Sequence, residues 1–123
     1  MNRRLAATLA VATLGIVPIA DASTSRAPAR VQVSADEFRL ALSRSKLRAG
    51  PAIVELVNYG EDDHDLALRR VGGTRTYRVG IVHPSGTGEF ETRLRPGRYR
   101  LWCTLGDHRA KGMAATLTVV RAG

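Results

Sequence analysis

Cysteine is almost missing from this chain: Cys103 stands alone among 123 residues. No internal disulfide can therefore hold the fold together. Aromatic residues make up only 5%, so any core must be built from Val, Leu and Ala. Acidic residues are outnumbered 11 to 19 by basic ones, and arginine dominates the excess. No convincing amphipathic helix appears after the N-terminal segment, which removes the helical fold classes. No recognisable RNA- or DNA-binding motif accompanies the positive charge.

The long hydrophobic run is confined to the start. Asn2-Arg3-Arg4 precedes an apolar stretch from Leu5 to Ala20, interrupted by Thr8, Thr13, Gly15 and Pro18 and followed by the small-x-small pattern Ala20-Asp21-Ala22. This is the anatomy of a secretory signal peptide over residues 1–22. A membrane anchor is the competing reading, but the run is short and lightly apolar for a span of about 20 residues. The paired arginines match a twin-arginine export signal poorly, and no cysteine near the cleavage site permits a lipid anchor. Residues 23–30, rich in Ser, Thr, Ala and Pro, read as a flexible leader. Residues 31–123 then form one domain with one core, exported to the periplasm or beyond the cell. Removing Arg3, Arg4 and Asp21 lowers the formal charge from +8 to +7, a balance that favours acidic partners or anionic surfaces. Simple solvation of exposed strand faces would use the same arginines.

From Val31 onward the dominant hydrophobic period is two. Val31 and Val33 alternate with polar residues, as do Phe38, Leu40 and Leu42. Arg48-Ala49-Gly50-Pro51 marks a turn, Ala52 to Asn58 reads as a central strand, and a polar loop from Asn58 to Asp63 delivers His64. Leu66 and Leu68 resume the alternation. Val71 to Gly88 is least legible and reads as a long connection with a short strand around Thr76 to Val82. Glu89 to Leu94, Arg98 to Cys103 and Ala114 to Val120 complete the set. The expectation is an all-β, Greek-key β-sandwich of seven or eight strands. Alternation along Arg98 to Cys103 places Tyr99, Leu101 and Cys103 inward and Trp102 with the arginines outward.

The lone thiol now needs an explanation, and its neighbours supply candidates. Leu101 to Met113 contains Cys103, His108 and Met113, spaced Cys-x4-His-x4-Met. Thiolate, imidazole and thioether together suit a copper ion that holds either oxidation state. A second imidazole is required from elsewhere, and His64 is the candidate. Rival readings stay open for each residue. Cys103 as a buried inert thiol is one, and a nucleophilic Cys103–His108 pair with Asp107 is another. Met113 would also serve as core packing. His64 would also serve as a loop histidine whose neighbours Glu61, Asp62, Asp63 and Asp65 raise its pKa. Zinc accepts Cys and His, although structural zinc usually takes more cysteines, and the methionine speaks for copper. His83, before Pro84, has no partner at useful spacing and reads as exposed; Asn58 reads as a turn former.

The stretches "EFRL", "AGPAIVELVNYGEDDHDLAL" and "LRPGRYRLWCTLGDHRAKGM", followed by "AATLTVV", resemble the cupredoxins, the small type 1 blue copper proteins related to plastocyanin, azurin and the phytocyanins. The loop with four residues in each gap is most similar to phytocyanins and rusticyanin, although the phytocyanin disulfide is missing. The resemblance implies one type 1 copper ion held by His64, Cys103 and His108, with Met113 as weak axial ligand. Asp65 follows the first ligand where many members carry Asn, so the hydrogen bonds across the site are expected to differ. The implied function is one-electron transfer through Cu(II)/Cu(I), without enzymatic activity; three histidines cannot build the additional centres of a multicopper oxidase. A copper carrier or buffer, or a module that never loads copper, are the rivals. His108 is expected nearest the surface, within a patch of Leu105, Gly106, Ala110 and Gly112. Arg109 and Lys111 border that patch and would steer an acidic redox partner. The mature domain is expected to be a monomer with no nucleic-acid or membrane partner.

Overall fold

A computed structural model of the chain describes residues 6–19 and 25–122. Residues 6–19 form no helix or strand, and Leu9, Val11, Leu14, Ile16, Val17 and Ile19 are exposed. No helix among the described residues is long and apolar enough to cross a membrane. The expected cleavage site at Ala20-Asp21-Ala22 lies outside the described residues.

Alternating small apolar residues produce nine strands among the described residues. They are β1 (Ala29–Asp36), β2 (Arg39–Leu42), β3 (Lys46–Arg48), β4 (Gly50–Asn58), β5 (His64–Arg70), β6 (Thr76–Val82), β7 (Thr87–Leu94), β8 (Gly97–Trp102) and β9 (Ala114–Val120). They form two sheets, ordered β2-β1-β4-β7 and β3-β9-β8-β5-β6. Pairing is antiparallel except for β1 with β4 and β3 with β9. The β-sandwich stands as expected, with one strand more than the seven or eight read from the sequence. The addition is β3, three residues long, too short to show a period.

The short strand read around Thr76 to Val82 within the long connection is β6, with those bounds, and β7 begins at Thr87, two residues before the strand read from Glu89. The alternation in β6 is disturbed by a register shift. His64 pairs with Val82 but Leu66 pairs with Val79, so β6 spends one extra residue against β5. Gly80 and Ile81 both face solvent, and Val79 and Val82 both point inward. Such a bulge breaks the two-residue period on which strand reading depends.

Period two puts Val31, Val33 and Ala35 of β1 opposite Tyr99 and Leu101 of β8 and Leu117 and Val119 of β9 in an aliphatic core. Val54, Leu56, Leu66 and Leu68 fill its centre without exposure. Tyr99 is its one fully buried aromatic ring, and its hydroxyl donates to the Arg95 carbonyl at 2.8 Å, tying the β7–β8 turn to the core. Burial raises the Tyr99 pKa. Leu101→Ala is expected to cost about 2–5 kcal/mol in chemical denaturation, since the rigid sheets around it cannot collapse into the void. Ile81→Ala, on the exposed bulge, should change stability by no more than about 0.5 kcal/mol.

Candidate metal centre

One pole of the sandwich gathers the ends that matter. The loop 59–63 leaves β4 and enters β5 at His64; β8 runs out into Cys103; and the loop to β9 carries His108 and Met113. The two ends of that last loop are bonded, Cys103 N–H to the Met113 carbonyl at 3.2 Å. Inside it, Met113 N–H donates to the His108 carbonyl and Lys111 N–H to those of Asp107 and His108. The loop is thus a closed coil and holds its three candidate side chains in fixed relation. Gly112 permits the closure: its φ is +122°, and a Cβ there would sit 3.1 Å from the Phe38 carbonyl oxygen.

His64, Cys103 and His108 meet. Their donor atoms all lie within 4.8 Å of one another, with Cys103 Sγ 3.6 Å from His108 Nδ1. His64 and Cys103 are fully buried, as is Met113, whose backbone bonds to both Cys103 and His108. His108 is the outermost, its side chain 15% exposed against none for His64. Around it Leu105 is half-buried, and Gly106, Ala110 and Gly112 are exposed. Burial pushes the Cys103 thiol above its ordinary pKa, against opposing hydrogen bonds from the backbone.

The most informative atom is His64 Nδ1. Among the described residues it is the buried side-chain nitrogen or oxygen that has no hydrogen-bond partner. Its other ring nitrogen, Nε2, lies 3.0 Å from Glu37 Oε1. That carboxylate also accepts from the backbone N–H groups of Asp62 (2.7 Å) and Glu61 (3.0 Å). These donors, Asp62 foremost, hold the Glu37 pKa at about 2 despite partial dehydration. Glu37 is therefore an anion at neutral pH and only accepts, so in the neutral imidazole Nε2 carries the proton and Nδ1 the lone pair. A buried lone pair without a donor is costly, and this one faces a thiol and a second imidazole. That is the electronic arrangement of a metal ligand oriented by an outer carboxylate.

The carboxylates around His64 differ from expectation. Of the four neighbours read as its acidic cluster, Asp63 reaches His83 Nδ1 (2.8 Å), and Asp62 lies 4.0 Å from His108 Nε2. Asp65 turns away to accept from Thr104 N–H (2.6 Å) and the Thr104 hydroxyl. Glu37, 27 positions upstream, takes the place beside His64. His83 is exposed as read, but it does have a partner in Asp63. Asp65 provides the tie across the site that its departure from Asn had put in question, joining the His64 strand to the residue after Cys103. Asn58 does more than turn the chain: fully buried, it accepts from Gly60 N–H and donates to the carbonyls of Asp62 (2.8 Å) and Val82 (2.9 Å). The loop before His64 is pinned to β6 by that one amide.

The β1–β2 turn was missed by sequence reasoning. It supplies Glu37 to His64 and Phe38 to His108, whose rings lie 5.0 Å apart between centroids. The available signal was a turn carrying an acid and an aromatic residue at the same pole as the ligand loops. Asp107, the candidate third member of a nucleophilic triad, is exposed and pairs with Lys111 at 3.5 Å. Trp102 is half-buried on the outer face, with the Arg109 guanidinium 4.6 Å above its ring.

No family profile matches the sequence, and no curated protein matches it. Solved structures do. Auracyanin A, a "blue" copper protein from the green thermophilic photosynthetic bacterium Chloroflexus aurantiacus, is 14% identical, with a TM-score of 0.61 over 76% of this chain and 100% of its own. Auracyanin from Roseiflexus castenholzii is 17% identical, with a TM-score of 0.60 over 74% of this chain and 96% of its own. An azurin from Methylomonas sp. strain J is 12% identical, with a TM-score of 0.61 over 76% and 99%. Likeness at these identities is a likeness of architecture: the chain has the cupredoxin fold.

Proposed function

We propose that this chain is an exported type 1 copper protein that carries single electrons. His64 Nδ1, Cys103 Sγ and His108 Nδ1 are the main ligands and the Met113 thioether the weak fourth. The observation that supports it most is the unpartnered His64 Nδ1, buried and converging with Cys103 and His108 within 4.8 Å. The donor set favours copper over zinc: one thiolate, two imidazoles and a buried methionine at the end of the same closed loop. Export rests on the N-terminal signal pattern. Copper held there would supply a one-electron couple between Cu(II) and Cu(I).

The protein's own part is orientation and exclusion. Glu37 fixes the His64 tautomer, and Asp65 with Thr104 keeps the two ligand segments in register. Phe38 packs against the His108 ring, and the Cys103 thiol is fully buried. Because these contacts do not depend on the oxidation state, the site has little to rearrange when an electron arrives or leaves. His108, alone among the three, reaches the surface and is the proposed exit. Arg109 and Lys111 stand beside it, which supports an acidic redox partner, although Asp62 and Asp107 share that rim.

The deciding measurement is the visible spectrum after one equivalent of Cu(II), followed by voltammetry. An intense thiolate-to-copper band, absent in Cys103→Ala, together with a reversible couple, is the expected result; colour without a reversible couple would mean a copper carrier instead. Met113→Gln should keep the colour and lower the potential.

Glu37→Ala removes the carboxylate that orients His64. Copper affinity, measured by competition with a chelator, should fall about 10–100-fold, with the Cys103-dependent colour retained.

Binding must also displace the proton from Cys103, whose pKa is raised by burial. Between pH 7 and pH 8, where the thiol is still protonated, copper affinity should rise by about tenfold per pH unit. A flat profile would mean that the thiol is not a ligand.

A further inference from the structure

The charge of this protein is divided between its two sheets. On the four-stranded sheet Asp36, Glu55, Glu89 and Glu91 offset Arg30, Arg39 and Arg93, and two ion pairs form there, Arg30–Glu89 and Arg39–Asp36, both at 3.5 Å. The five strands of the other sheet contain one acidic residue, Asp65, which is buried against Thr104. The outer face of that sheet is predominantly basic, with Ile81 of β6 and Val120 at the end of β9 exposed at its margins. Arg69 of β5 stands directly opposite Arg100 of β8, and Arg98 follows two residues before Arg100 on the same side. Arg98 is opposite Thr118, which is opposite Lys46 of β3; Arg78 of β6 is opposite Ala67, two residues before Arg69. All five cations are exposed. None takes part in an ion pair among the described residues.

Like charges directly opposite in a sheet are destabilising. Arg69 with Arg100 is such a pair, and no carboxylate on either neighbouring strand relieves it. A surface that solubility alone had shaped would intersperse both signs, as the four-stranded sheet does. We propose that the outer face of β3-β9-β8-β5-β6 is a docking surface for an anionic lipid bilayer.

Two features favour lipid headgroups over an acidic protein. A specific protein interface has an apolar core within its polar rim, and the centre of this face has none: between the cations lie Ala67, which its neighbours cover completely, Thr116 and Thr118. The exposed Ile81 and Val120 stand on the edge strand and at a strand end. Its one aromatic ring, Trp102, is capped by Arg109. Five strands at about 4.8 Å spacing make a broad cationic face, matched by a plane of negative charge and not by a pocket or a ridge. In this pose the strands lie parallel to the bilayer. The pole bearing His108 then points sideways, free to meet a membrane-bound protein while the sheet stays docked. This departs from the expectation that the domain has no membrane partner, and it stands whether or not the metal centre holds copper.

The test is flotation of the full chain with vesicles of phosphatidylcholine alone and of phosphatidylcholine with one-third phosphatidylglycerol, at low and high salt. Binding that requires the anionic lipid and is lost in high salt is expected. Arg78→Gln/Arg98→Gln/Arg100→Gln should weaken it by about a hundredfold. Arg30→Gln/Arg39→Gln/Arg93→Gln, with the same change in net charge on the opposite sheet, should alter it by less than about threefold. Equal binding to both vesicle types, or equal losses in the two triple variants, would overturn the assignment. So would a wild-type chain that ignores anionic vesicles but binds poly-glutamate through the same three arginines, since the face would then serve an acidic protein.

Discussion

The contact between Glu37 and His64 sets the chemistry of this protein. A histidine buried in an aliphatic core has two nitrogens to satisfy, and the surroundings decide which keeps its lone pair. Glu37, held ionised by the Asp62 and Glu61 amides, claims the proton at Nε2. Nδ1 is then left with a lone pair that nothing in the core answers. Cys103 and His108 bring their donor atoms within 4.8 Å of that ring's, and the three together form a donor set that suits a soft cation.

That contact depends in turn on the sandwich. Glu37 comes from a hairpin turn of the four-stranded sheet, whereas His64 and Cys103 come from neighbouring strands of the other sheet. The turn reaches the histidine only because both sheets end at the same height there. Asn58 and the β6 bulge then position the intervening loop. Asp65 and Thr104 add the second tie, between β5 and the end of β8. The site is thus framed by three loop segments, each pinned to a strand and none free to adjust alone. Such a frame suits a centre whose function requires little movement.

The same architecture separates roles in space. Chemistry sits at one pole, where strands end and side chains from several segments converge. The broad faces between the poles are left to carry charge, and the two sheets carry it in opposite fashion. A protein that is basic overall is, strand by strand, mixed in sign on one face and without an exposed acid on the other. Net charge alone conveys nothing of this division.

Much of this was legible before any coordinates. The two-residue period along β1, β4, β8 and β9 specified a sandwich, because a strand with one buried face has to alternate. The Cys-x4-His-x4-Met spacing put three candidate ligands in one loop, because its members are too close in sequence to be far apart in space. Three things were decided only by the tertiary structure. A three-residue strand such as β3 has no period to show, and in β6, whose span was legible, the facing of Gly80 and Ile81 follows from a bulge. The carboxylate beside His64 is Glu37 and not one of four nearer acids, because side-chain direction in a folded loop does not follow distance along the chain. The cations of the five-stranded sheet became one surface only when β3, β5, β6, β8 and β9 were laid side by side: strand order is set by long-range pairing, which a one-dimensional pattern does not contain.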